Sequence, residues 1–316
     1  MRALVFGRSG QLATELARRM PGAECLGRAE ADLSDPSACA SAIRAREGTI
    51  GAVINAAAWT RVDAAEAEEA AARTVNAEAP AAMAAACAGL GLPFLHVSTD
   101  YVFPGTGTRP WAEDDAPAPL GAYGRTKRAG EEAVIAAMEG AGPMRAPWAI
   151  LRTSWVFSAH GSNFVRTMLR LVDERVRGER GDLRVVGDQI GGPTPAAGIA
   201  DALARLARRL ALDAAAPSGL YHYAGAPAVS WAEFARAILE GAGLDVPVTA
   251  IRSSEYPAPA PRPANSRLSG ARLLAEHGIA PPDWRAGLAD VLGELRARGE
   301  IPGGPPPTPA SEGSRP

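Results

Sequence analysis

The sequence predicts an α/β protein: an open, doubly wound parallel sheet with a smaller lobe toward the C-terminal end. Two observations carry this. Short β-rich apolar runs alternate with Ala-rich helical stretches through the first half, at spacings that suit right-handed crossovers between parallel strands. A glycine-bearing turn, "FGRSGQL", directly follows the first of those runs and opens the first helical stretch.

In order, Arg2 to Phe6 reads as a strand, Gln11 to Met20 as a helix, Glu24 to Leu26 as a strand, and a helix begins at Pro36. Gly51 to Ile54 is the third strand, and a long helical region then runs through Cys87. Pro93 to Val97, a helix from Tyr123 to Met138, and Ala149 to Arg152 complete the alternation. Between the last two, "EGAGPMRAPW" reads as a surface loop. The second half is less regular: an amphipathic helix from Asn163 to Arg177, "LRVVGDQIGGPTP", a helix from Ala196 to Leu212 and the strand-like "GLYHYAG". Beyond residue 229 one helix, Trp231 to Ala242, stands among Pro-rich connections. The tail "IPGGPPPTPASEGSRP" lacks apolar periodicity and is expected to be disordered.

Composition narrows the partners. Hydrophobic residues make up 47% of the 316 and aromatics only 5%, so Ala, Leu and Val must fill the core. The formal net charge is −2 with Arg spread along the chain, which supports neither a nucleic-acid footprint nor a membrane-surface patch. No apolar run is long enough to span a bilayer, and the first residues enter a strand without a charged leader. Cys25, Cys39 and Cys87 are odd in number and lack CxxC spacing, which reads as reduced core thiols in a cytoplasmic protein.

Gly7 and Gly10 sit between the first strand and the first helix, where a sharp turn lets a pyrophosphate approach free N–H groups and the positive end of a helix dipole. A dinucleotide is the ligand this position suggests. Residues 1–155, with 196–225 returning to them, then form a Rossmann-type NAD(P)-binding domain. Residues 156–195 and 226–301 form the substrate-binding lobe, and 302–316 the tail. The second strand ends in "CLGRAEADLSD", where the first charged residue is Arg28, with Arg8 within its neighbourhood. Arg at this place accommodates a 2′-phosphate, so NADPH is favoured over NADH.

Tyr123 and Lys127 in "AYGRTKRAGEE" lie four residues apart on one helical face. Lys127 is the only lysine among 33 Lys and Arg residues. A tyrosine hydroxyl with its ordinary pKa near ~10 needs a neighbouring cation to work as an acid-base group at neutral pH, and an ammonium one turn away supplies it. The compact ammonium is not reproduced by arginine's planar fork. Three further strand ends converge on the same edge: Ser98, Thr99 and Asp100, the small residues Ala56 to Ala58, and Thr153, Ser154 and Trp155.

The segments "GRSGQL", "DLSD", "INAAAWTRVDAAE", "VNAEAP", "STDYVFPGTG", "YGRTKRAGE", "RTSWVF", "NFVRTMLRL", "GDQIGGPT" and "RPANSRL" run from residue 7 to 268 and resemble the extended short-chain dehydrogenase/reductase family. The resemblance implies NAD(P)H-dependent reduction of the C4 ketone of dTDP-4-dehydro-L-rhamnose to dTDP-L-rhamnose. It leaves open a different dTDP-4-keto-deoxyhexose, or a non-catalytic NADP-binding regulatory subunit. Gly10, Gln11 and Leu12 would hold the pyrophosphate, Asp32 and Leu33 the adenine, and Ala56, Ala57, Ala58 and Thr60 the rest of the dinucleotide. Tyr123 would be the general acid, Lys127 its partner on the nicotinamide ribose, and Thr99 the donor to the reacting oxygen. Asp100, Tyr101 and Trp155 would line the sugar pocket. The chain departs from the family at Ala13, where a third glycine is common and a methyl should narrow the packing of helix on strand. Some relatives bind a divalent metal such as Mg2+ at a homodimer interface; no motif here assigns ligands, and metal and oligomeric state stay open.

Overall fold

The computed structural model describes residues 2–140, 146–176, 183–213 and 215–302. The first half runs β1 (Ala3–Phe6), α1 (Gln11–Arg19), β2 (Glu24–Leu26), α2 (Pro36–Arg44) and β3 (Ala52–Asn55). Then come α3 (Val62–Ala67), α4 (Glu69–Arg73), a π-helical turn (Thr74–Glu78), α5 (Ala79–Leu90), β4 (Phe94–Thr99), α6 (Ala122–Glu139) and β5 (Trp148–Thr153). The second half contains β6 (Val156–Phe157), α7 (Phe164–Val176), β7 (Leu183–Val186), β8 (Ile190–Gly191), β9 (Thr194–Pro195), α8 (Ala196–Leu212) and β10 (Gly219–His222). It closes with β11 (Val229–Ser230), α9 (Trp231–Ala242), β12 (Val248–Ile251), β13 (Asn265–Ser266), α10 (Ala271–His277) and α11 (Trp284–Ala297).

Six strands form one all-parallel sheet in the order β10-β5-β4-β3-β1-β2. Alternation along each strand divides the core into two layers, as a pleat with both faces covered requires. Leu4, Phe6, Val53, Phe94 and Ile150 face a cluster with Ile43, Met83, Cys87, Val134 and Met138 of α2, α5 and α6. Val5, Ile54, Leu95 and Leu151 face the opposite cluster, with Leu16 of α1 and Leu203, Leu206 and Leu210 of α8. Cys39 and Cys87 are buried and Cys25 half-buried, all as free thiols. The chain direction of winding reverses between β1 and β3, so the crevice outside their carboxyl ends is the ligand position of this topology.

A third cluster lies outside the sheet, where Phe157, Phe234, Ile238, Trp284 and Leu292 pack β6, α9 and α11 together. Here the reading of one helix among Pro-rich connections falls short. α10 and α11 are both present, and α11 starts where the Asp283 side chain accepts the Arg285 N–H. The long helical region before Cys87 is also not continuous: it breaks at Glu68 and unwinds into the π-helical turn. Half of the expected loop "EGAGPMRAPW" and most of the tail fall on residues 141–145 and 303–316, outside the described residues. Among the described residues no helix is long and apolar enough to cross a membrane.

Candidate active site

The glycine turn forms one wall of the crevice. Gly7 has φ +123°, a conformation closed to ordinary side chains, and its missing Cβ would lie 3.2 Å from the Ala13 methyl. Ala13 is therefore accommodated by the absent side chain of Gly7, which explains how the turn tolerates a methyl where the family commonly has glycine. Gly10 precedes α1 without any side-chain cap, and the first turn of α1 holds no acidic residue. Its free N–H groups fit a pyrophosphate. Leu12 points into the core, whereas the Gln11 amide oxygen accepts bonds from Ser158 Oγ (2.9 Å) and Asn163 Nδ2 (3.0 Å), tying the turn to the loop ahead of α7.

Beyond β2, the Arg28 side chain is 89% exposed, its Nε 3.9 Å from Asp32. Arg8 reaches across to the Cys25 carbonyl (3.0 Å) and to Glu30 (2.7 Å). Asp32 accepts the Ser34 N–H, and Leu33 is buried behind it. After β3, Ala56, Ala57 and Ala58 are half-buried and Thr60 is exposed at the rim.

Thr99 ends β4. Its hydroxyl accepts the Tyr101 N–H (3.2 Å) and donates to Asp100 Oδ1 (3.1 Å). The Tyr101 and Tyr123 rings meet edge to face with centroids 5.4 Å apart. Gly124 makes this approach feasible, because a Cβ there would overlap the Tyr101 carbonyl oxygen. Burial pushes the Tyr123 hydroxyl up to about 12; hydrogen bonding with Thr99 pulls the other way and Asp100 adds to the rise. Burial likewise pushes Asp100 up to about 6, against hydrogen bonds from Ser266 and Thr99. Ser98 Oγ, Asp100 Oδ2 and Thr153 Oγ1 are buried without a hydrogen-bond partner, all three at the carboxyl ends of β4 and β5. Such orphans mark the place where a polar ligand completes the bonding.

Lys127 is buried, and its Nζ contacts His96 Nε2 (3.2 Å) and donates to the Val97 carbonyl (2.8 Å). Burial lowers its pKa to about 8, with Glu131 opposing. Its charge is not among the influences on the Tyr123 hydroxyl. The Lys127 nitrogen is turned into the sheet because a buried polar nitrogen finds its partners there.

Trp155, just past β5, has φ +48° and stacks on Trp231 with ring centroids 3.5 Å apart. "RPANSRL" closes the far side. Asn265 Nδ2 donates to the Thr106 and Arg109 carbonyls, its N–H to the Gly105 carbonyl, and Arg262 pairs with Asp63 at 2.7 Å. Sequence reasoning missed Asn55, Asn76 and His96. Asn76, presented by the π-helical turn, bonds both backbone groups of Trp59 and the Thr126 hydroxyl. A lone polar residue within an apolar run was the signal available for Asn55 and His96, whereas Asn76 stands in the mixed segment "RTVNAE".

Glu15, His160 and Glu294 bring one possible ligand atom each within 4.8 Å of one another. Arg18 and Arg19 bind the Glu15 carboxylate, and Arg18 and Arg298 that of Glu294. Three guanidinium groups thus surround the two carboxylates of this cluster.

Residues 1–297 match the family described as RmlD substrate binding domain. A dTDP-4-dehydrorhamnose reductase of Sinorhizobium fredii is 41% identical over 95% of this chain and 99% of its own. The chain belongs to the RmlD family of dTDP-4-dehydrorhamnose reductases. A solved RmlD-family structure, a dTDP-4-dehydrorhamnose reductase from Clostridium acetobutylicum, superposes with TM-score 0.82 at 31% identity, covering 94% of this chain and 100% of that one. The Bacillus anthracis dTDP-4-dehydrorhamnose reductase, solved in complex with NADP, gives TM-score 0.81 at 31% identity over 93% and 99%.

Proposed function

We propose that the chain reduces the C4 ketone of dTDP-4-dehydro-L-rhamnose to dTDP-L-rhamnose. The observation that carries this reading is the meeting of Thr99, Tyr101 and Tyr123 beside three unsatisfied buried polar atoms at the sheet edge. NADPH, when bound, supplies the hydride. Gly7, Gly10, Gln11 and Leu12 form the turn that receives its pyrophosphate, Asp32 and Leu33 flank the adenine, and Ala56, Ala57, Ala58 and Thr60 allow close approach of the remainder. Exposed Arg28 is free to meet a 2′-phosphate, which supports NADPH over NADH.

Tyr123, protonated across the neutral range by its raised pKa, gives its proton to the oxygen on C4 as charge develops there. Thr99 turns its hydroxyl from Asp100 to that oxygen. Lys127 holds the nicotinamide ribose, and Asp100, Tyr101 and Trp155 line the sugar pocket. Residues 156–195 and 226–301 form the lobe that covers the sugar, joined to the cofactor turn through Gln11. The free thiols Cys25, Cys39 and Cys87 suit the reducing cytoplasm, where we place the reaction. The test is NADPH oxidation, followed by absorbance, on addition of dTDP-4-keto-6-deoxyglucose together with its epimerase. Turnover is expected; saturable NADPH binding without turnover overturns the reading.

A further inference from the structure

Four groups from two adjacent strands, the loop after β3 and α6 form one buried chain of hydrogen bonds beneath the crevice. The Ala57 N–H faces Asn55 Oδ1 at 3.2 Å. Asn55 Nδ2 faces His96 Nδ1 at 3.1 Å, and His96 Nε2 faces Lys127 Nζ at 3.2 Å. Asn55, His96 and Lys127 are all closed to solvent.

The direction of each bond follows from its fixed end. A backbone N–H only donates, so the amide atom opposite Ala57 is the oxygen, and the other end of Asn55 is the NH2 group. That group only donates, so His96 Nδ1 carries the lone pair. His96 is neutral, since burial by itself holds its pKa well below the ordinary value. A neutral ring with a bare Nδ1 has its proton on Nε2. The Nε2–H then points at Lys127 Nζ. An ammonium has three donors and no lone pair, whereas an amine can accept this proton and still donate to the Val97 carbonyl at 2.8 Å.

We propose that Asn55 and His96 are positioning residues that favour the amine form of Lys127 in the cofactor-free protein, His96 being locked as the Nε2–H tautomer. The other charged groups around Lys127 do not impose this state. Glu131, on the same helix, favours the ammonium, but it is itself engaged by Arg152 of β5 and by Arg128. The assignment concerns the resting protein and goes beyond the proposed reduction without depending on it. Lys127 must then take up a proton before it can act as a cation toward the ribose or Tyr123.

Because Lys127 is the only lysine, labelling the protein with 13C-lysine gives one side-chain Cε signal whose titration is read directly. The cofactor-free protein is expected to show that signal titrating far below an ordinary lysine. Asn55→Leu removes the donor that pins the ring, lets Nε2 accept, and is expected to raise the proton affinity of Lys127 about tenfold, the order of one hydrogen bond. Burial alone predicts no change, and an unchanged midpoint in a folded Asn55→Leu protein overturns the proposal. Should that variant not fold, long-range 1H–15N spectra of the unaltered protein decide. With four histidines, His96 is assigned by its loss in His96→Gln. A protonated Nε2 with a bare Nδ1 is expected; an Nδ1–H tautomer or an imidazolium overturns the assignment.

Discussion

Arg152 and Glu131 form a two-bond ion pair inside the protein, Nε and Nη2 each donating to a carboxylate oxygen at 2.7 Å with both side chains closed to solvent. The pair clamps α6 to β5, with Lys127 one turn before Glu131 and Thr153 one residue after Arg152. Removing one partner leaves the other charge buried alone. Glu131→Ala is expected to lower unfolding free energy by about 3–5 kcal/mol, measured by urea denaturation.

Tyr123 stands edge to face with Tyr101 and in hydrogen-bonding reach of Thr99, placed to donate its proton at the strand ends. Tyr123→Phe should keep NADPH affinity, read by fluorescence titration, while kcat falls by about 10²- to 10⁴-fold. Retained turnover would remove Tyr123 from the mechanism.

Lys127 fits its niche as a compact nitrogen between His96 and the Val97 carbonyl. A planar guanidinium cannot enter without displacing the ring. Lys127→Arg is expected to cut kcat at least tenfold, whereas Arg125→Lys, at an exposed pair with Glu69, should leave it unchanged in the same steady-state assay.

Asp100 supplies a pH test of stability. Its folded pKa, about 6, is raised above the ordinary 3.8, so the folded protein holds this proton more tightly than the unfolded chain. The resulting stabilisation is complete below about 3.8 and is lost as pH rises through about 6. Asp100→Asn has no such loss. Its stability relative to the unaltered chain is expected to increase by about 2–3 kcal/mol between pH 4 and pH 7.5, measured by denaturant melts at both pH values.

Arg28 projects into solvent beside the adenine side of the crevice, while Arg8 is drawn to Glu30. Arg28→Ala should raise KM for NADPH about ten- to hundred-fold, a charged hydrogen bond's contribution, with KM for NADH little changed. An unaltered ratio of the two constants would reassign phosphate recognition away from Arg28.

The sheet was legible because its strands are short, apolar and separated by helices, and the glycine turn because Gly7 occupies backbone space that other residues cannot. Thr99 could be placed at the sheet edge from topology alone, since parallel strands put their carboxyl ends on one edge, whereas Tyr101 came only with the family resemblance. The orientation of Lys127 was not legible. Helical spacing puts it on the face of Tyr123, but its nitrogen follows the partners available in the third dimension, and His96 reads in sequence as one polar residue in "FLHVST". The same holds for α10 and α11: prolines before each obscure an amphipathic pattern that Leu273, Leu288, Leu292 and Leu295 nevertheless bury.

Asn265 has a consequence for how the protein is made. It braces the loop carrying Gly105, Thr106 and Arg109, some hundred and fifty residues upstream. During synthesis the six-stranded sheet can be complete once β10 has emerged, with the cofactor turn in place and the sugar-side loop still unbraced. A nascent chain in that condition has the surface of a dinucleotide binder before it has that of an enzyme. Contacts of such long sequence separation form late, so reductase turnover reports that translation has gone to the end of the lobe, whereas NADPH binding reports only that the sheet is built.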